Sequence, residues 1–291
     1  MDPGTHTVYV ANHDDDTVSS LHVSGSWPTP TFDVDRTPLP VGKSPTEIAV
    51  NPVFAVAYVA NYQSGTLSQI DAEHDQVMSP IQLDIHPQSV AVDTSTNTVY
   101  AVGDSSLDPN SGGLDVITDG QVTSTVRVAK GPQGVAVDPG SHHVFVSNNQ
   151  EGSLSVMKLN GPNYEQVATS PVGANPAGVA VDPDTHLVYV ANYGDESVTV
   201  VDGDDGTPKA TVHVGGQPHT LAVDTATEPH KVYVTNSADN TVSVIDGSTN
   251  TAEPATIPVG RGPTGVAVDS ARSTVYVANR DANTVSVIHR Q

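Results

Sequence analysis

Three side chains that can exchange protons lie near one recurring point of the sequence, a turn proline that opens a short apolar run. His86 directly precedes such a proline, His219 directly follows one, and Glu47 stands two residues after one. Imidazole and carboxyl groups are common general acids and bases. If the fold brings them together, they predict acid–base catalysis. The alternative is that they are solvated residues lining a wet channel.

Positively charged side chains occupy the same turns. Lys43, Lys130 and Arg261 lie just before the proline and are three of only 11 Lys and Arg residues. In so acidic a chain, this placement predicts an anion-binding site. Gln88 and Gln133 directly follow the proline in two repeats. We therefore group them with the three cations as candidate ligand-binding residues.

A further candidate lies where the repeat pattern fails. The stretch "YAVGDSSLDPNSGGLDVI", residues 100–117, is five residues longer than the equivalent stretch of the other repeats. Repeat proteins often add function through such insertions. Asp104, Asp108 and Asn110 are therefore also candidate ligand-binding residues, and neutral variation in loop length is the alternative.

Histidines and acidic loops do not predict a metal site. Four histidines share one position, three residues before the aromatic of a repeat: His6, His142, His186 and His230. Duplication of a single turn explains this pattern, and packed sheets about 10 Å apart hold equivalent residues too far apart to share an ion. The acidic loops lack the ligand spacing of a calcium loop, and the chain has no cysteine. We predict no metal and no cofactor.

All these candidates are positioned by a repeat of 42 to 49 residues. Four short apolar runs, which we name strands A to D, make up each repeat, and "PAGVAVDP" (176–183) and "VYVAN" (188–192) are examples of A and B. Strand B is apolar on both faces, which predicts burial between two packed sheets. A period in the mid-forties made of four strands is one blade of a β-propeller. The aromatic of strand B recurs as Tyr9, Tyr58, Tyr100, Phe145, Tyr189, Tyr233 and Tyr276.

The sequence therefore predicts an all-β fold, a seven-bladed β-propeller of four-stranded antiparallel blades that spans residues 1–291 as a single domain. The pattern contains six A, seven B, seven C and six D strands, because the first blade lacks A and the last lacks D. Two interpretations compete: the chain is excised from a longer protein, or the ring closes with two incomplete blades. We favour excision, since an uncovered strand edge is unusual.

An asparagine closes strand B in six of the seven repeats. A short amide side chain can bond backbone groups of the following loop and tolerates a left-handed conformation. This favours a turn role over contact with a ligand. The six residues are Asn12, Asn61, Asn148, Asn192, Asn236 and Asn279.

The motif "YVAN" at 9–12, 58–61, 189–192 and 276–279, with "YVTN" at 233–236, resembles the YVTN-repeat β-propeller family. The resemblance covers essentially the whole chain and implies a propeller of the surface-layer or exported bacterial type. It also implies an extracellular or cell-surface location. A WD40 propeller is disfavoured, because no repeat carries the Gly-His and Trp-Asp pairs.

Composition narrows the possible partners. The formal net charge is −22, from 11 Lys and Arg against 33 Asp and Glu. Nucleic acid is disfavoured as a partner, because its phosphates are bound by clustered cations. No apolar run approaches the length of a membrane helix, about 18 residues. We therefore predict that this segment does not insert into a membrane.

The chain carries no metalloprotease, nucleophile-elbow or phosphate-loop motif. The sequence therefore favours a non-catalytic binding, sensor or interaction propeller from a larger exported or membrane-anchored protein. Its ligand, a protein or a small molecule, would bind on the face of the B–C and D–A loops. The alternative is a lactonase- or lyase-like enzyme with its site at the mouth of the central channel. A purely structural surface-layer or adhesion module is a third interpretation.

Overall fold

The computed structural model describes residues 1–25, 28–35, 37–106, 108, 110–160 and 163–290, without the side chains of residues 160 and 163. The regular secondary structure of this part of the chain consists of β-strands and two short 3-10 helices, Ser270–Arg272 and Arg280–Ala282. None of its helices is long and apolar enough to cross a membrane. The chain divides into two compact units, Met1–Val135 and Ala136–Gln291, which we describe in turn.

The first unit holds three antiparallel sheets, in which strands A, B and C that are consecutive in the chain are neighbours. Blade 1 consists of β1 (Thr7–Asn12), β2 (Thr17–Ser24), β3 (Thr31–Val34) and β4 (Leu39–Pro40). Blade 2 consists of β5 (Pro45–Asn51), β6 (Val56–Asn61), β7 (Thr66–Asp71), β8 (Gln76–Val77) and β9 (Ile81–Gln82). Blade 3 consists of β10 (Ile85–Asp93), β11 (Thr98–Ser105), β12 (Gly112–Thr118) and β13 (Gln121–Val128).

The second unit holds the other four sheets, and the boundary between the units falls within β14. Blade 4 consists of β14 (Pro132–Val137), β15 (Val144–Asn148), β16 (Ser153–Asn160) and β17 (Asn163–Pro171). Blade 5 consists of β18 (Pro176–Asp182), β19 (Leu187–Asn192), β20 (Ser197–Asp202) and β21 (Pro208–His213). Blade 6 consists of β22 (Pro218–Asp224), β23 (Lys231–Asn236), β24 (Thr241–Asp246), β25 (Thr251–Ala252) and β26 (Ile257–Pro258). Blade 7 consists of β27 (Pro263–Asp269), β28 (Thr274–Asn279) and β29 (Thr284–His289).

These seven sheets are the blades of a seven-bladed β-propeller, so the predicted fold class is confirmed. Within the described residues, blade 1 begins with strand B and blade 7 ends with strand C, as the sequence pattern predicts. Strand D is split into two short strands in blades 1, 2 and 6, and in each of these blades both pieces pair with strand C. The prediction that residues 1–291 form a single domain stays a prediction.

Strand B is buried on both faces because each face packs into a different core cluster. In β19, Val188 and Val190 pack with Phe145 of blade 4. The alternate residues Tyr189 and Ala191 pack in a cluster that extends into blade 6. All four β19 residues are fully buried. One blade cannot bury both apolar faces alone, so the repeat is stable only next to its neighbours.

The asparagine that closes strand B joins strand B to strand C. Its side-chain amide donates to the hydroxyls five and seven residues later, over 2.8 to 3.1 Å. The pairing is the same in six blades: Asn12 with Thr17 and Ser19, Asn61 with Thr66 and Ser68, Asn148 with Ser153 and Ser155, Asn192 with Ser197 and Thr199, Asn236 with Thr241 and Ser243, and Asn279 with Thr284 and Ser286. The left-handed residue is the last of the B–C loop, four positions later, as at Glu196 and Asn240. The asparagine is therefore a part of the architecture, with hydroxyls rather than loop backbone as its main partners.

A glycine of the D–A turn lies directly against this asparagine, and it supplies a test of the packing. A Cβ on Gly260 would lie 2.6 Å from Cγ of the buried Asn279, and the backbone of Gly260 does not have a positive φ. We expect Gly260→Ala to lower the free energy of unfolding by about 1–3 kcal/mol, because the overlap forces the blade to shift. Urea denaturation measures the change.

Gly265 of the same blade is the matched control. A Cβ there would meet its nearest neighbour, Cβ of Ala278, at 3.6 Å, an ordinary contact. Gly265→Ala should change the free energy of unfolding by at most about 0.5 kcal/mol. Equal effects of the two substitutions would contradict the close approach at Gly260.

Candidate functional site

Glu47, on strand A of blade 2, has the pKa of a group that exchanges protons near neutrality. Burial raises the pKa of its carboxyl to about 7, although hydrogen bonds from Ser89 and from the backbone N–H of Val90 oppose the rise. The Ser89 hydroxyl in turn accepts a hydrogen bond of 3.0 Å from the backbone N–H of Val135. Since that oxygen is occupied as an acceptor, its own proton is directed to Glu47. The first unit thus contains, on strand A of blade 2, a carboxyl group whose pKa is raised to near neutrality.

His219, on strand A of blade 6, is held in the neutral form. Burial lowers the pKa of its imidazole, and the positive charge of Arg280 lowers it further, while a hydrogen bond to the backbone of Thr264 opposes the shift. The Nδ1 atom lies 3.1 Å from Oγ1 of Thr220. The ring of Tyr193, in the B–C loop of blade 5, packs edge-on at a centroid distance of 6.4 Å. A neutral imidazole beside a cation can accept a proton at neutral pH.

Arg280 is positioned by the residue that follows it. Its Nε donates to Oδ1 of Asp281 over 3.0 Å. The guanidinium of Arg261 donates to the backbone carbonyl of Asp281 over 3.4 Å. Two cations of blade 7 therefore converge on one residue, and one of them acts electrostatically on His219. This arrangement favours a negatively charged ligand near the imidazole.

The remaining proton-exchange candidate, His86, has other partners. Its Nδ1 lies 3.0 Å from the backbone carbonyl of Tyr62, and the two rings are 5.8 Å apart. Tyr62 also donates from its hydroxyl to Asp104 over 3.2 Å. His86 is exposed, whereas Glu47 bonds to Ser89 and Val90. These contacts place the two candidates of the first unit in separate hydrogen-bond networks.

The predicted ligand-binding residues lie on turns and strand starts. Lys43, Lys130, Gln133 and Arg261 are exposed, and Gln88 is half-buried. The backbone N–H of Lys43 donates to Oγ of Ser64 over 2.6 Å, which orders the turn that carries this exposed residue. Their role in binding stays a prediction.

The insertion of blade 3 lengthens the B–C hairpin. Its register continues past Gly103 to pair Asp104 with Gly112. Beyond it, Asp108 accepts from the backbone N–H of Asn110 over 2.9 Å and forms an ion pair with Arg127 over 3.3 Å. Residues 107 and 109 lie outside the described residues. Asp108 therefore orders its own loop, and Asp104 and Asn110 are exposed.

The histidines that share a turn position connect neighbouring blades. His186 Nδ1 lies 2.5 Å from Oδ2 of Asp138, and His230 Nδ1 lies 2.9 Å from Oδ2 of Asp182. Asp182 ends strand A of blade 5 and Asp138 directly follows strand A of blade 4, and each histidine lies in the A–B turn of the next blade. Sequence inspection detected the repeated histidine but not its partner, because the aspartates also read as ordinary turn residues.

These pairs predict how stability depends on pH. The hydrogen bond that the imidazole of His230 donates to Asp182 raises the pKa of His230 above its usual 6.5. A raised histidine pKa stabilises the fold fully below about pH 6.5, and this contribution is lost as the pH rises through the raised value. We expect Asp182→Asn to cost about 1.5–3 kcal/mol at pH 6. Its stability should also fall less steeply above pH 6.5 than that of the wild type.

Thermal unfolding from pH 5.5 to 9 checks this expectation. Asp71→Asn is the control. It removes the exposed contact of 2.9 Å between Oδ2 of Asp71 and Nδ1 of His74, which lies within one blade and does not join two blades. Its effect should be small. If the stability of Asp182→Asn depends on pH in the same way as that of the wild type, the His230–Asp182 pair contributes no charge interaction to stability.

Comparison with known proteins adds to this description. A family model described as "Lactonase, 7-bladed beta-propeller" matches residues 105–246, slightly less than half of the chain. No curated protein matches. Among solved structures, hydrazine synthase of Kuenenia stuttgartiensis aligns with a TM-score of 0.83 at 19% identity, over 100% of this chain and 94% of its own. A functionally unknown protein of Desulfotomaculum acetoxidans DSM 771 aligns with a TM-score of 0.81 at 14% identity, over 97% of this chain and 92% of its own.

At these identities the solved structures show the fold alone. Together with the family model, they confirm the β-propeller part of the predicted resemblance, while the YVTN-repeat type stays a prediction. The matched segment includes Tyr193, His219 and Thr220. The comparisons thus favour the lactonase alternative over the non-catalytic interpretation that the sequence favoured.

Proposed function

We propose that the protein is a lactonase-type hydrolase that opens a cyclic ester with His219 as general base. The observation that carries this proposal is the buried imidazole of His219, which packs against the ring of Tyr193 and whose pKa is lowered by burial and by the charge of Arg280. Support also comes from the lactonase family model, which matches the segment that contains His219.

The chemistry needs one base and one positive charge. The imidazole of His219 takes a proton from water while the water oxygen attacks the lactone carbonyl carbon. Arg280 stabilises the negative charge that develops on the carbonyl oxygen. The ring C–O bond then breaks, the imidazolium returns its proton to the leaving oxygen, and a hydroxy acid forms. The convergence of Arg261 and Arg280 on Asp281 favours lactones that carry a carboxylate or a phosphate.

Acid release from a panel of lactones tests the proposal. The purified chain is mixed with five- and six-membered lactones, each with and without a negatively charged substituent, and proton release is followed with a pH indicator. We expect turnover above the buffer rate, with a higher kcat/KM for the charged members. Absence of turnover on the whole panel would remove the enzymatic proposal.

The non-catalytic binding propeller is the second candidate. It is favoured by the ordered turns that present exposed cations, since the turn of Lys43 is fixed through Ser64 and Arg261 is fixed through Asp281. Its ligand would be an anionic small molecule or a protein, and an extracellular or cell-surface location belongs to the same proposal. Saturable binding of the lactones that carry a negatively charged substituent, without hydrolysis of any of them, would favour this candidate.

A further inference from the structure

A cluster in the first unit, distinct from the residues around His219, has the composition of a cation site. His22 lies on β2, Asp35 directly follows β3, and Asp75 lies in the turn between β7 and β8. One ligand atom from each residue lies within 4.8 Å of the other two. Their side chains are 36%, 39% and 24% exposed, so an ion from solvent can reach them.

The distances around the imidazole are longer than those of a short, charge-assisted hydrogen bond. Nε2 of His22 lies 3.3 Å from Oδ2 of Asp35 and 3.2 Å from Oδ2 of Asp75. A charge-assisted hydrogen bond is about 2.7–2.9 Å long, and His74 and His230 each form one of 2.9 Å in this protein. A single N–H shared between two carboxylates would form only a bifurcated bond, which is weaker to each acceptor than one direct bond.

A shared cation accounts for these distances. Ligand atoms bonded about 2.1 Å from one ion lie about 3.0 Å apart in an octahedral site and about 3.4 Å apart in a tetrahedral site. The two separations from Nε2 of His22, 3.3 and 3.2 Å, fall between these values. Each carboxylate is therefore spaced from the imidazole as a neighbouring ligand of one ion would be, and the two carboxylate oxygens lie within 4.8 Å of each other.

Each of the three groups is oriented by a buried hydroxyl. Oγ1 of Thr7 lies 3.1 Å from Nδ1 of the imidazole, which leaves Nε2 to face the carboxylates. The Ser20 hydroxyl donates to Asp35 over 2.6 Å, and the Tyr9 hydroxyl donates to Asp75 over 3.4 Å. Thr7 and Ser20 are fully buried, and Tyr9 is 7% exposed. Such outer hydrogen bonds are typical of metal sites, where they fix the ring and the carboxylates.

We propose that His22, Asp35 and Asp75 bind a divalent transition-metal cation of the Zn²⁺ or Co²⁺ type, with water in the remaining positions. One imidazole nitrogen with two carboxylate oxygens suits these ions, whereas Ca²⁺ and Mg²⁺ prefer oxygen ligands alone. Asp75 belongs to blade 2 and the other two ligands to blade 1, so the ion joins two neighbouring blades. The ion would also offset two carboxylates in a chain of net charge −22.

Metal titration of the full chain, freed of metal with a chelator, tests the site. We expect isothermal titration calorimetry to show one equivalent of Zn²⁺ bound in a manner that depends on His22. His22→Gln and Asp75→Asn should each weaken this binding at least tenfold. Tyr9→Phe, which keeps all three ligands but removes the hydroxyl that orients Asp75, should weaken it by about 10- to 100-fold. Co²⁺ bound at the same site should give a visible absorption spectrum that His22→Gln abolishes.

His74→Gln is the matched control, because it removes an exposed histidine of blade 2 that pairs only with Asp71 among the contacts described. It should leave Zn²⁺ binding unchanged. A second group of possible ligands, His230 with Asp182 and Asp184, provides the competing outcome. Binding that His230→Gln abolishes and His22→Gln preserves would overturn the proposal, as would the absence of stoichiometric binding.

Circular dichroism verifies that each variant is folded. If His22→Gln does not fold, Asp75→Asn and Tyr9→Phe still decide the question, because both are nearly isosteric. Zn²⁺ should also raise the thermal midpoint of the wild type and not that of Asp75→Asn, since a ligand that binds only the folded state stabilises it. These readouts do not depend on lactone hydrolysis, so failure of the metal site and failure of the proposed enzyme are distinguishable.

Discussion

Replacing His219 by Gln should lower kcat/KM for lactone hydrolysis by about 10²- to 10⁴-fold, the usual contribution of a general base. Gln keeps the approximate size of the side chain and its hydrogen-bonding capacity, but it cannot accept the proton of the attacking water. The effect should appear mainly in kcat, because proton transfer occurs in the transition state. Initial rates at pH 7.5 on the best lactone of the panel measure it.

The pH profile separates a base from a residue that only supports the fold. Because burial and Arg280 lower the pKa of His219, the rate of the wild type should rise through a pKa below 6.5 and reach a plateau by neutral pH. Arg280→Gln removes the nearby positive charge, so this rising limb should move to higher pH. Arg280→Lys should largely preserve its position.

His213→Gln is the matched control for the histidine substitution, since His213 is an exposed residue at the end of β21 in the same unit. It should retain full activity. A rate for His219→Gln within twofold of the wild type would exclude His219 as the base and redirect attention to Glu47. If Glu47 were the base, the rate of hydrolysis should rise with pH around the pKa of Glu47, about 7.

Replacing Asn192 by Ala should destabilise the fold by about 2–4 kcal/mol. The Asn192 amide donates to Ser197 and Thr199 over 3.0 and 2.8 Å, and its oxygen accepts from the backbone N–H of Gly173 over 3.1 Å. All of these bonds are buried or partly buried, and each unpaired buried group costs about 1–3 kcal/mol. For a chain of this size, we expect the thermal midpoint to fall by roughly 5–15 °C.

Asn149→Ala is the control in the neighbouring blade. Asn149 follows the equivalent Asn148, is only half-buried, and donates to the backbone carbonyl of Pro176 over 3.2 Å. Its loss should cost about 1 kcal/mol or less. If the two substitutions destabilise the fold equally, the hydrogen bonds from the asparagine of strand B to the hydroxyls of strand C are not the reason that this asparagine recurs.

The propeller itself could be predicted from the sequence because its signal is repeated. Seven aromatic residues at near-constant spacing, each followed by the same apolar and polar order, define strand, loop and burial together. The blade that departs from the pattern shows the limit of this reasoning. Gly103 replaces the asparagine of strand B, and only the structure gives the reason, since a Cβ there would overlap the carbonyl of His86.

The candidate site was predicted only as a set of residue types near one turn. Sequence could select Glu47, His219 and His86, but their hydrogen-bond partners come from neighbouring strands and loops. Arg280 was not selected, because it lies in a B–C loop of blade 7 far along the chain from His219. Its positive charge next to an acidic residue was the only available signal.

The sequence alone thus determined the number of blades, their strand order and the double burial of strand B, because these properties are local and repeat along the chain. Tertiary structure decided which side chains become chemically distinct. The depressed pKa of His219, the raised pKa of Glu47 and the spacing of His22, Asp35 and Asp75 depend on burial and on charges from other blades. The contacts that give these side chains their properties occur in single blades and do not recur with the repeat, so the repeat pattern does not contain them.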